Sequence, residues 1–322
     1  MEVYTIKNID LSNVSSEEAK IIRQKLDEYG LAIIENVIPD DKCDEYVKTS
    51  VDWLGKLIKP LSRAPETWTF ENLPSGPRKG MMQSIISHSP VAWELREKLY
   101  PLFSALHGTK DLITSLDGAT ILPPIQGSNK DWPHIDQTKS EDDIKCFQGQ
   151  VVLTNTTACF RCTPKSHLKH KEIVETLEIN RKNQWYKFKD IDISTISPWF
   201  DEWQIPIQVS KGSIILWRST TIHSAKYVDD PKIYKPLYSW DGWRCVYYIC
   251  MRPKKQFTKT GLKTIKKAAL EGRTTNHWGT KTFPKRQRYD DGKHRSVDKL
   301  LDDPTVVVQE LNEVQKKLVD LI

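Results

Sequence analysis

A chain of 322 residues, 38% hydrophobic and 28% charged, has the composition of an ordinary globular protein and enough length for one large domain or two small ones. No apolar run approaches the roughly 20 residues that span a bilayer, no basic-then-apolar leader opens the chain, and six cysteines are too few for a disulfide scaffold. The expectation is a soluble, cytoplasmic protein whose +6 charge is uneven: between Arg252 and Arg288 twelve Lys or Arg stand against Glu271 alone, leaving the remainder net acidic.

In chain order, Ser15 and Ser16 before EEAKIIRQKLDEYG, with Gly30 just past the end, predict a capped helix. LAIIENVI then reads as a buried strand stopped by Pro39, and a second amphipathic helix is expected over 40–58. Residues 60–80, rich in Pro, Ser and Gly, read as a surface loop, and 91–107 as a further helix. From Asp111 the texture changes to short β-type runs: DLITSLDGATIL, QGQVVLTNTT, IPIQVS, GSIILWRSTTIH and RCVYYICM. Such runs suggest a sandwich or a barrel-like sheet. Beyond Pro253 a basic amphipathic helix is expected over 258–270 and a terminal helix over about 305–321. The expected organisation is one catalytic domain: support at 1–109, a β core at 110–253 and a basic helical extension at 254–322.

Chemistry concentrates in DWPHIDQT. His134 and Asp136 are two residues apart, which on a strand puts both side chains on one face. An imidazole and a carboxylate so placed supply two ligands of the facial triad of non-haem iron(II) oxygenases. With 8 His and 42 acids in the chain, about one such pairing is expected by chance, so the pair alone is weak. His223, after the apolar run of GSIILWRSTTIHSA, is the candidate third ligand. Other features weigh less. Cys159 and Cys162 form CFRC with no second pair, His167 and His170 read as surface residues, and Ser115 and Asp117 either line the cavity or shape a turn.

At these residues the sequence resembles the phytanoyl-CoA dioxygenase family of 2-oxoglutarate oxygenases. GLAIIENVIPDD, WPHIDQT, FQGQVVLTNTT with TPKSHLKH, GSIILWRSTTIHSA and RCVYYICMRP match its segments in order, over residues 30–38 and 110–253. The resemblance implies an α+β chain with a double-stranded β-helix (jelly-roll, cupin-like) core. It also implies Fe(II) held by His134, Asp136 and His223, and 2-oxoglutarate and O2 as co-substrates; ascorbate is a candidate activator. The implied outcome is release of succinate and CO2 with hydroxylation of a C–H bond in a small-molecule or acyl substrate. Lys165 departs from the pattern, standing where the family usually has a glycine.

The far carboxylate of 2-oxoglutarate needs a cation, and a guanidinium grips it in a bidentate fork. Arg244 and Arg252 flank the last strand. If the strand of His223 runs antiparallel beside it, Arg244 is the one brought near the metal, and the aromatic-rich connection SAKYVDDPKIYKPLYSWDGW folds over the pocket. Three other readings stay open: a nucleic-acid-binding or nucleobase-modifying protein using Arg252 to Arg288, an inactive scaffold of the same fold, and a zinc hydrolase.

Overall fold

The computed structural model describes residues 1–7, 9–58, 61–68, 81–83, 85–123, 132–140, 146–156, 159–226, 240–283, 286–288, 294–296 and 309–322. The expected loop at 60–80 and the aromatic-rich connection at 227–239 lie largely outside these residues.

Among the described residues the helices are α1 (Ser16–Tyr29), α2 (Asp40–Leu57), α3 (Pro90–His107), α4 (His170–Thr176), α5 (Asp190–Ile196), α6 (Lys259–Leu270) and α7 (Glu313–Leu318). The strands up to Pro253 are β1 (Thr5–Ile6), β2 (Leu31–Ile34), β3 (Met81–Met82), β4 (Leu112–Thr114), β5 (Ala119–Leu122), β6 (His134–Ile135) and β7 (Phe147–Val152), followed by β8 (Cys159–Cys162), β9 (Tyr186–Lys187), β10 (Ile205–Ile207), β11 (Ile214–Arg218), β12 (His223–Lys226) and β13 (Arg244–Pro253).

Local chemistry accounts for the first helix. Ser15 accepts from the Glu18 backbone N–H while Glu18 reaches back to Ser15, closing both ends of a capping box. Gly30 ends it at φ +76°, and a Cβ there would sit 2.5 Å from Thr221 Oγ1 and 2.6 Å from His167 Nδ1. Only glycine fits that turn into β2. Lys165 adopts φ +63°, a left-handed conformation that glycine takes more readily. It does so at a cost of about 1 kcal/mol. Its backbone N–H donates to Tyr29 O at 2.8 Å, which anchors the strained turn to the end of α1.

Two sheets face each other. The larger has the order β1-β2-β11-β7-β13-β5-β3, with β4 added on β13, and the smaller is β10-β8-β12-β6-β9. From β5 onward the core strands cross between the sheets nearly every time, and this winding is the double-stranded β-helix. α2 and α3 cover the outside of the larger sheet. Tyr247 points outward to them, its hydroxyl 2.7 Å from Ser50 Oγ, while Ile249 and Met251 join the same core. The alternate residues Tyr248 and Cys250 face the cavity between the sheets, as do Gln148 and Gln150 on β7.

Several expectations shift in detail. The run at 111–122 is two strands, broken at Ser115–Gly118, and α4 and α5 fall inside the stretch expected to be the β core. His167 and His170 are buried, not superficial, and their Nε2 atoms pair with the backbone oxygens of Asp27 and Gln137. Cys159 and Cys162 are both buried. The expected terminal helix shortens to α7, with 301–308 outside the described residues. No helix of the described residues is long and apolar enough to cross a membrane.

Candidate metal centre and its cavity

His134 on β6 and His223 on β12 are directly paired across the smaller sheet, so their side chains share one face. Asp136 lies just past β6, its backbone N–H donating to Ser219 O at 2.9 Å. That bend turns its carboxylate between the two rings. Oδ1 is 3.7 Å from His134 Nε2 and Oδ2 is 3.4 Å from His223 Nε2. One donor atom from each of the three lies within 4.8 Å of the others, which suits a single divalent ion.

The rings are fixed from behind. His134 Nδ1 lies 3.2 Å from Trp132 O and His223 Nδ1 2.9 Å from Thr221 O. Each Nδ1 therefore carries the proton and leaves the Nε2 lone pair facing inward, as a ligand requires. Trp132 stacks on His134 at 4.4 Å and 5°, and His223 packs against Phe160 and Trp217. Burial alone would raise the Asp136 carboxyl. His277, His134 and His223 outweigh it and hold the group well below the usual carboxylate range. The donor set thus fits a divalent cation in charge, geometry and protonation.

Outer partners complete the centre. Gln148 Nε2 donates to Asp136 Oδ2 at 3.1 Å, and the Trp278 indole N–H donates to Asp136 O at 3.0 Å. Trp278 belongs to the basic C-terminal extension, whose helix is docked on the barrel with a solvated lysine face. α6 buries Ile265, Ala268 and Ala269 against Trp93, Ile113 and Leu116, and it leaves Lys259, Lys263 and Lys266 exposed. The chain after α6 then returns to the barrel, where Thr275 exchanges backbone and side-chain hydrogen bonds with Leu116. Arg252 fastens this return. Its Nη2 donates to Trp278 O at 2.6 Å, and the guanidinium stacks on the Phe257 and Trp278 rings at 4.2 and 4.8 Å. Trp278→Phe and Gln148→Leu should each lower metal affinity roughly 10–100-fold, the range for outer partners of a ligand, without unfolding the chain. Cobalt(II) titration followed by visible absorption measures this.

The centre opens on a cavity of about 970 Å³, at the upper end for small-molecule sites. Its floor holds Asp136, Gln148 and Asp117. Burial pushes the Asp117 carboxyl up to about 7, with the Gly118 N–H opposing, Asp136 adding to the rise and Arg96 opposing. One outer wall is the segment 182–187 and the other is 276–283. They are stitched by Gln184, which accepts from Asn276 Nδ2 at 2.5 Å and donates to Thr280 Oγ1 at 3.0 Å. His277 also faces the cavity beside Asp136, and burial brings its ring down to about 4. Sequence reasoning found neither wall, nor Gln148, His277 or Trp278. His277 and Trp278 sit in a non-periodic turn, TTNHWGT, that carries no signal linking it to a metal.

Arg244 is buried on β13, with Nη2 3.5 Å from both Gln150 Oε1 and Tyr248 OH, two groups that line the cavity. The strand adjacency expected for it is absent. β12 pairs with β6 and β8, whereas β13 pairs with β4, β5 and β7 in the opposite sheet.

No family model matches the chain. A curated relative, "Ava biosynthesis cluster protein O" of Aspergillus versicolor, is 24% identical over 265 residues, covering 76% of this chain and 81% of its own. Among solved structures, hypothetical protein JW0805 of Escherichia coli has a TM-score of 0.56 at 12% identity, over 98% of this chain and 84% of its own. The non-haem α-ketoglutarate-dependent carbocyclase SnoK from nogalamycin biosynthesis has a TM-score of 0.46 at 14% identity, over 76% and 85%. The likeness to JW0805 bears on fold alone. The class of the molecule is a double-stranded β-helix protein with a possible His-Asp-His metal site.

Proposed function

We propose that this chain is an iron(II)- and 2-oxoglutarate-dependent oxygenase, akin to the phytanoyl-CoA dioxygenase family, that oxidises a small organic molecule. The observation that carries the reading is the convergence of His134, Asp136 and His223 within ligand distance, on the inner face of a double-stranded β-helix and open to a cavity. Three protein ligands leave coordination positions for a chelating co-substrate and oxygen. When bound, iron and 2-oxoglutarate supply the oxidising chemistry, with succinate and CO2 as by-products and hydroxylation of a C–H bond as the outcome.

The chain's own residues do the rest. His134, Asp136 and His223 hold the metal in an orientation set by Trp132, Thr221, Gln148 and Trp278. Arg244 receives the far carboxylate of 2-oxoglutarate. The rings of Trp132, Phe160 and Trp217 keep water from the metal. A relative named for a biosynthesis cluster suits a small-molecule substrate, and the cavity volume suits one too. The exposed lysines of α6 do not line the cavity, so they lend a nucleic-acid substrate no support at this site.

The test is stoichiometric conversion of 2-oxoglutarate to succinate by the full chain, dependent on added iron and on oxygen. Absence of succinate from a chain that demonstrably holds both iron and 2-oxoglutarate would overturn the reading.

A further inference from the structure

The outer half of the cavity carries charge that the metal centre does not use. Lys182 and Lys187 line one wall and Lys281 lines the other. Lys187 is the cross-strand partner of His134 in the β6–β9 pair, so it shares the face on which that ligand lies. None of the three has a carboxylate within 4.0 Å among the described residues. Some lysines elsewhere on the surface are paired: Lys42 with Glu45, Lys48 with Asp52, Lys169 with Glu172 and Lys211 with Asp44. Among the described residues the carboxylates lining the cavity are Asp136 of the metal centre and Asp117 near it, both at the floor. The polarity is therefore graded, cationic outside and anionic within. Between the two levels stands Trp185, 43% exposed, with its ring edge-on to His134 at 6.3 Å.

We propose that this rim is the recognition site for an anionic group of the substrate, a carboxylate or a phosphate, whose carbon body lies along Trp185 and Tyr186 toward the metal. The assignment rests on the oxygenase reading for what happens at the inner end, but the binding step does not need the metal. Three like charges held around one opening raise the local concentration of anions and select against cations. The Gln184 bridge to Asn276 and Thr280 keeps the two walls, and hence the three ammonium groups, around one opening.

The probes are three molecules of one shape: naphthoate, naphthyl phosphate and neutral naphthol. Each is titrated calorimetrically into the full chain, once metal-free and once loaded with iron and 2-oxoglutarate without oxygen, so that the co-substrate's own charges are already seated. The two anions should bind about tenfold or more tighter than naphthol, the sum of several modest exposed ion pairs, and the advantage should shrink as salt is added. Which anion is the tighter distinguishes a carboxylate from a phosphate substrate.

The triple substitution Lys182→Glu, Lys187→Glu and Lys281→Glu should abolish the preference, and the glutamine versions should reduce it. An equal charge change on α6 (Lys259→Glu, Lys263→Glu and Lys266→Glu) should leave it in place. Naphthol binding as tightly as the anions, no probe binding at all, or equal loss in the rim and α6 variants would each overturn the proposal. The rim variants, read in both arms, separate the three lysines from Arg244, so failure here is distinguishable from failure of the oxygenase reading, which iron binding and succinate formation decide.

Discussion

Replacing His134, Asp136 or His223 with alanine should remove ferrous binding and, with it, 2-oxoglutarate consumption, while the chain stays folded. The loss should exceed the roughly 10–100-fold expected for outer partners such as Gln148 and Trp278, because a donor atom itself is deleted. Asp136 should be the most damaging. It is the only anion of the three, and it lies between both rings at 3.7 and 3.4 Å. Its removal leaves two imidazoles to bind a cation without charge compensation. It also strands the Gln148 amide that now donates to Oδ2. The fold should survive because each ligand sits at an end of a short strand, whereas the core rests on residues such as Leu216, Ile249 and Val151. Iron titration with a chromogenic chelator, paired with thermal melts, separates the two effects. An alanine variant that binds iron and consumes 2-oxoglutarate like the parent would mean that these residues are not the ligand set.

What the sequence made legible was local. The two-residue spacing of His134 and Asp136 is chemistry written within one short segment, and His223 stands out because an apolar run leads to it. Helix ends were equally readable, since Ser15, Glu18 and Gly30 act on neighbours a few residues away. What remained hidden depends on long-range pairing. Nothing in RCVYYICM says that β13 lies between β5 and β7, not beside β12, because sheet order is set by which faces close around the core. The role of the basic extension was hidden for a similar reason. Its charge drew attention to α6, but the residues that reach the metal centre, His277 and Trp278, follow α6 in a turn. They arrive only because Ile265 and Ala269 dock and Arg252 grips Trp278.

Arg244→Ala should raise the 2-oxoglutarate concentration needed for half-maximal turnover sharply, and Arg252→Ala should not. By backbone level alone the ranking looks wrong. Cys250 is opposite Gln148, the residue that touches Asp136, so the metal level is two residues from Arg252 and six from Arg244. Side-chain direction reverses this. Arg244 reaches back along the barrel to Gln150 and Tyr248, both cavity-lining. Gln150 is one strand repeat, roughly 6.6 Å, from Gln148. A short dicarboxylate held at the metal site would span about that distance and bring its far carboxylate to the guanidinium.

Arg252 is committed elsewhere, sandwiched between Phe257 and Trp278 with its Nη2 on a backbone carbonyl. Loss of the buried bidentate partner should cost about 2–5 kcal/mol, a roughly thirty-fold or larger weakening, with lysine restoring part of it. Arg252→Ala should instead lower the melting temperature and weaken metal affinity through Trp278. Titrating 2-oxoglutarate into the iron-loaded chain without oxygen, and following its visible charge-transfer band, reads the co-substrate step apart from turnover. If Arg252→Ala weakens that titration and Arg244→Ala does not, the anchor lies at the other end of β13, and 2-oxoglutarate runs toward the C-terminal wall.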